Sequence, residues 1–197
     1  MLFYVTSQKL CKGDFLERIN HLAAGKPDAI ILREKELSQT AYDDLAVQVK
    51  EICDKHQVRL IVNQRIETAA KVSGHLQLSM DNFKSFNGEC QSFKSIGVSV
   101  HSVEEAKVAQ KMGASYLIAG HIFATDCKKG LSPRGLDFLA AVCRVTQIPV
   151  FAIGGINDKC YPLVLKAGAA GACIMSETMI CHDPQLLADR YRKNIKS

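Results

Sequence analysis

The 197 residues contain no tryptophan, only 7% aromatics and 5 prolines. Platforms that stack single-stranded nucleic acid need aromatic side chains interleaved with a basic stripe, and no such stripe is present. No apolar run reaches the roughly 20 residues of a membrane-spanning helix. The opening MLFYVTSQKL turns polar after five residues, so no signal peptide is expected. None of the 8 cysteines forms a CxxC pair, and no histidine stands at zinc-finger spacing from one. They are Cys11, Cys53, Cys90, Cys127, Cys143, Cys160, Cys173 and Cys181. Cys143 and Cys173 lie in apolar stretches, where cysteine acts as a small hydrophobe. Reduced thiols in a cytoplasmic protein are the expectation. Low-complexity and disorder-prone segments are also missing.

Hydrophobic residues make up 47% of the chain, enough for a sizeable core, and its length suits one domain spanning 1–197. The formal charge of +5 favours anionic ligands mildly, since the basic residues are scattered. The densest basic stretch, DRYRKNIKS at the end, reads as the solvated last turns of a helix.

Short apolar runs recur at even spacing: LFYVT (2–6), AIIL (29–32), RLIVN (59–63), HLQL (75–78), IGVSV (96–100), SYLIAG (115–120), PVFAIGG (149–155) and GACIMS (171–176). Helical patterns alternate with them. Phe15, Leu16, Ile19 and Leu22 share one face of the first, and Ser38 is an N-cap for the second. The stretch after the fourth run, through residue 94, carries only a weak helical signal. Ser102 and Glu105 form a capping box, and Gly113 ends that helix. In DPQLLADRYRKN, Asp183 is the expected N-cap and Pro184 the first helical residue. Parallel strands covered on both faces read as continuous apolar runs, as these do. Eight alternations with no GxGxxG turn after the first strand favour a closed (β/α)8 TIM barrel over an open doubly wound sheet.

Chemistry in such a barrel collects where the strands end. The polar residues there are Arg33, Glu34 and Lys35; Asn63, Gln64 and Arg65; Gln77 and Ser79; Ser99 and His101; then His121, Thr125, Asp126 and Lys128. Gly154 and Gly155 follow the seventh run and Ser176 ends the eighth, where bare backbone N–H groups suit a phosphate. Arg33 and Lys35 alternate along extended chain and so point to one side. With Lys128 they suggest a second anionic group on the substrate. His121 can both take and return a proton near neutrality. Asp126 has no evident partner as a metal ligand.

The segments YVTSQK, ILREKE, VNQR, GVSVHSVEEA, GHIFATDCKKG, FAIGGIN and CIMSE follow one another in the order of the thiamine phosphate synthase/TenI superfamily. The chain resembles that superfamily over nearly its whole length, and the barrel agrees with the family's fold. The resemblance implies one of two activities. Thiamine phosphate synthases couple a pyrimidine diphosphate to a thiazole phosphate, with carboxylates holding Mg²⁺ on the diphosphate. Their NDR motif stands here as Asn63-Gln64-Arg65, and LQLSMDNF puts Asn82 where a second Asp belongs, with Asp81 adjacent. An amide brings no negative charge to a hard cation.

The loop with Asp126, Cys127, Lys128 and Lys129 resembles instead the TenI-type thiazole tautomerases. On that resemblance the expected function is an isomerase, which converts a dihydrothiazole carboxylate phosphate to its aromatic tautomer. His121 would move the proton. Gly154, Gly155, Met175 and Ser176 would hold the phosphate, Arg33, Lys35 and Lys128 the carboxylate, and Asn63 would orient the ring. No metal and no cofactor are called for, Mg²⁺ entering only under the synthase alternative. The other alternative is a non-catalytic barrel that binds a phosphorylated thiazole and acts through a partner. The expected ligand is a small molecule, not nucleic acid or membrane, and assembly into a homo-oligomer is left open.

Overall fold

A computed structural model describes residues 1–86 and 92–193; Cys90 and the end of the basic tail lie outside them. Among the described residues eight strands form one closed parallel barrel, each paired with its sequence neighbour and β8 with β1. The order is β1 (Leu2–Val5), α1 (Phe15–Ala24), β2 (Ala29–Leu32), α2 (Gln39–Lys55), β3 (Arg59–Asn63), α3 (Ile66–Val72), β4 (His75–Ser79) and α4 (Met80–Lys84). Then come β5 (Ser95–Val100), α5 (Val103–Lys111), β6 (Tyr116–Gly120), α6 (Gly135–Val145), β7 (Val150–Ile153), α7 (Tyr161–Lys166), β8 (Gly171–Ile174), α8 (Ser176–Ile180) and α9 (Leu187–Lys193). This is the expected TIM barrel.

Period-two alternation divides the core into two layers. Phe3 and Val5 of β1 point inward with Ile31, Ile61, Tyr116, Ile118 and Phe151, while Leu2 and Tyr4 face the helices. Phe3 fills the barrel centre by stacking on Phe151, with centroids 4.1 Å apart, and meeting the edge of Tyr116 at 5.7 Å. Both faces are dry, which is why β1 reads as an unbroken apolar run. On the outside, Ile19 and Leu22 of α1 and Leu45, Val49 and Cys53 of α2 are buried against the strands.

The caps follow the sequence. Ser38 Oγ accepts from Ala41 N–H at 3.3 Å, and Ser102 Oγ accepts from Glu105 N–H at 3.0 Å. Glu105 reaches back one residue further than in the usual box, to His101 N–H at 2.5 Å. Two boundaries differ from expectation. The weak helical signal after β4 resolves into the single turn of α4, whose Ser79 hydroxyl accepts from Asn82 N–H. At the end of the chain, a short α8 comes first, held by Thr178 Oγ1 donating to Met175 O at 2.5 Å. The last helix then starts at Leu187 rather than beside Asp183, which only steadies a turn by accepting from Leu186 N–H at 3.3 Å. Two separate buried pairs, Thr178–Met179 and Leu187–Ala188, each need their own helical face, and one straight helix cannot supply both. Every described cysteine is a free thiol, and no helix among the described residues is long and apolar enough to cross a membrane.

Candidate functional site

The strand ends form a rim with two sides. On the β2–β4 side lies a cleft of about 440 Å³, lined by Glu34, Lys35, Asn63, Gln64, Arg65, Ser79 and Asn82. Asn63 is held where β3 ends: its N–H donates to Tyr42 Oη at 3.2 Å and its side-chain amide to Gln77 O at 3.5 Å. Gln64 turns the chain with φ +64° and accepts from Asn82 Nδ2 at 2.6 Å. Asn82 lines the cleft and Asp81 does not. Arg65 is tied elsewhere, donating to Leu37 O at 2.9 Å and Gln39 Oε1 at 3.2 Å above the Tyr42 ring.

Alternation after β2 does what the spacing suggests. Glu34 is buried while its neighbours Arg33 and Lys35 face outward. The Glu34 carboxylate takes Thr6 Oγ1 at 2.6 Å and Gln8 N–H at 2.9 Å. Burial pushes its pKa above the usual carboxylate range, and those two bonds oppose the shift. Lys35 is lowered, first by the Arg33 charge, then by burial, then by Lys128. Of Arg33, Lys35 and Lys128, only Lys35 lines the cleft. Thr6 and Gln8 are rim residues as well, marked in the sequence by the polar step that follows LFYV.

On the β6–β8 side, Gly154 (φ +100°) and Gly155 (φ +66°) have backbones that side chains rarely adopt. Their bare faces lie against the β6–α6 loop: a Cβ on Gly154 would stand 2.3 Å from His121 Cβ, and one on Gly155 2.4 Å from Ala124 O. Phe123 N–H donates to Gly154 O at 3.0 Å. The half-buried His121 has its ring Nε2 3.3 Å from Leu131 O, while its own carbonyl accepts from Arg134 N–H at 2.9 Å. Cys127 Sγ lies 3.6 Å from Ser176 Oγ, and Arg33 Nη1 lies 4.0 Å from Met175 Sδ, which joins the two sides of the rim. His121, Gly154, Gly155, Met175 and Ser176 line no part of the amide cleft. His101 braces β6 through Gly120 O at 2.8 Å, Gln77 is buried and bonded to Ser99 at 3.1 Å, and Asp126 pairs with Lys129 at 3.5 Å.

A hard divalent cation such as Mg²⁺ takes one or two carboxylates and near-octahedral oxygen geometry. The cleft offers three neutral amides and one carboxylate, Glu34, whose two oxygens already accept from Thr6 and Gln8. No group of three or more His, Cys, Asp or Glu among the described residues could hold a metal ion. These residues do not fit a resident Mg²⁺.

Residues 2–178 match a family profile described as thiamine monophosphate synthase, TMP-TENI. The chain is 35% identical over 179 residues to a thiamine-phosphate synthase of Coprothermobacter proteolyticus, covering 89% of this chain and 85% of that one. It is 31% identical over 197 residues to the thiamine-phosphate synthase of Fusobacterium nucleatum, covering 98% and 96%. A thiamine phosphate pyrophosphorylase from Pyrococcus furiosus superposes with a TM-score of 0.85 at 28% identity, over 99% of this chain and 95% of that one. These relatives overturn the isomerase expectation. That expectation leaned on the loop GHIFATDCKKG and on the amides at Gln64 and Asn82, whereas the likeness to the Fusobacterium synthase covers 98% of this chain.

Proposed function

Since the chain belongs to the thiamine monophosphate synthase family, we propose that it is a transferase joining a pyrimidinylmethyl diphosphate to a thiazole phosphate. A C–N bond forms between the exocyclic methylene and the thiazole nitrogen. The methylene C–O bond breaks, and its electron pair leaves with pyrophosphate; thiamine phosphate is the product. One observation carries this reading: a barrel matched to the synthase family over residues 2–178 places Lys35 in its rim cleft, with Arg33 two residues before it. Negative charge grows on the leaving diphosphate as its bond breaks, and fixed cations there stabilise the transition state more than the ground state.

The remaining residues have places in this scheme. The backbone at Gly154, Gly155, Met175 and Ser176 takes the thiazole phosphate, at the strand ends where this fold commonly holds phosphate. No proton changes hands in the bond exchange, so His121 is a positioning residue: it anchors the loop that carries Lys128. The test is incubation with both substrates and Mg²⁺, following thiamine phosphate and pyrophosphate. Equal amounts of the two are expected, and absence of both products would end the proposal. Lys35→Ala should lower kcat/KM by about 10–100-fold, in line with loss of a charge-assisted contact to phosphate.

A further inference from the structure

The cleft between β2 and β4 is lined by three carboxamides, Asn63, Gln64 and Asn82. Asn82 and Gln64 bond to each other at 2.6 Å. Two carboxamides carry four N–H donors between them, and one mutual bond uses a single donor, whichever way each amide is turned. The pair therefore presents N–H groups to the cleft. Asn63 adds a third amide and Lys35 an ammonium.

The charges agree with the donors. Lys9, Lys50, Lys129, Arg190 and Arg192 sit in salt bridges, and among the described residues Arg33, Lys35 and Lys128 do not. The nearest carboxylate, Glu34, is turned to Thr6 and Gln8. Lys35 stands in the cleft beside the three amides, and its lowered pKa, due first to the Arg33 charge, agrees with that placement. Such an arrangement repels a divalent cation and attracts a polyanion. A diphosphate matches it in charge and in hydrogen-bond acceptors.

Resting on the synthase reading, we infer that this cleft is a direct anion pocket. The substrate's diphosphate is held by the amide N–H groups of Asn63, Gln64 and Asn82 and by the Lys35 ammonium, which line the cleft, with no bridging divalent cation. Inorganic pyrophosphate, titrated calorimetrically into the full chain in EDTA and again in Mg²⁺, tests this. The two dissociation constants should agree within about threefold, and Mn²⁺ alone should show no protein-bound signal in electron paramagnetic resonance. The double variant Gln64→Asp, Asn82→Asp should bind pyrophosphate at least about tenfold more weakly in EDTA and should acquire a Mn²⁺ site.

Pyrophosphate binding that is more than about tenfold tighter with Mg²⁺, or a Mn²⁺ site in the unaltered chain, would overturn the inference. Should the double variant fail to fold, the comparison on the unaltered chain decides. Metal-free pyrophosphate binding without thiamine phosphate formation would remove the synthase reading and leave the pocket. Coupling that needs Mg²⁺, together with Mg²⁺-dependent pyrophosphate binding, would do the reverse.

Discussion

Gly154 shows how one missing side chain shapes the rim. At φ +100° it meets His121 Cβ where its own Cβ would be, so the strand end and the β6–α6 loop touch backbone to side chain. Gly154→Ala is expected to cost about 1–3 kcal/mol by overpacking, read as a lower urea midpoint at unchanged slope. At the opposite end of the barrel, burial lowers the His75 pKa to about 4, helped by the Arg59, Lys94 and Lys50 charges. Its Nδ1 lies 2.8 Å from Ser95 Oγ. A histidine depressed in the folded state keeps its full contribution above its unfolded pKa, about 6.5, and loses it as pH falls through the folded one. Stability should therefore decline between about pH 6.5 and pH 4, and more steeply in the native chain than in His75→Asn; equal slopes in unfolding titrations would contradict this.

Elements were legible where their own residues specify them. Ser102 caps α5 just where the pattern S-x-x-E places a helix start. Ser102→Ala should cost about 1 kcal/mol in denaturant unfolding, and synthase activity should stay within about twofold, since the cap lies on the α5 side of the rim loops. The short elements were less legible. A single turn such as α4 or α8 has too few residues to display a 3.6-residue period. What holds α8 is Thr178 Oγ1, which lies 2.5 Å from Met175 O and 3.2 Å from Val5 O, a residue 173 positions away. The start of α9 at Leu187 follows from that docking, since Asp183 and Pro184 are strong local signals for a start that the chain does not use.

On the scale of the whole molecule, closure packs Gly97 tightly between neighbouring strands. A Cβ there would lie 2.1 Å from Tyr116 Cζ and 2.2 Å from Gln77 Oε1, side chains supplied by the strands on either side of β5. Gly97→Ala should cost about 1–3 kcal/mol, and in a chain of this size each kcal/mol lowers the thermal midpoint by about 2–4 °C. Nothing near Gly97 in sequence announces this, because Gln77 and Tyr116 arrive only when the barrel shuts. Strand count, order and the parallel fold were readable from period and alternation, which depend on residues a few positions apart. So were Arg33, Lys35, Asn63 and Lys128 as rim residues, since a strand end marks its own successors. The partners of those residues were not readable. Thr6 and Gln8 engage both carboxylate oxygens of Glu34, and Asn82 meets Gln64 across 18 positions. Local chemistry is written along the chain, but which groups cancel and which reinforce one another depends on distances that only barrel closure creates.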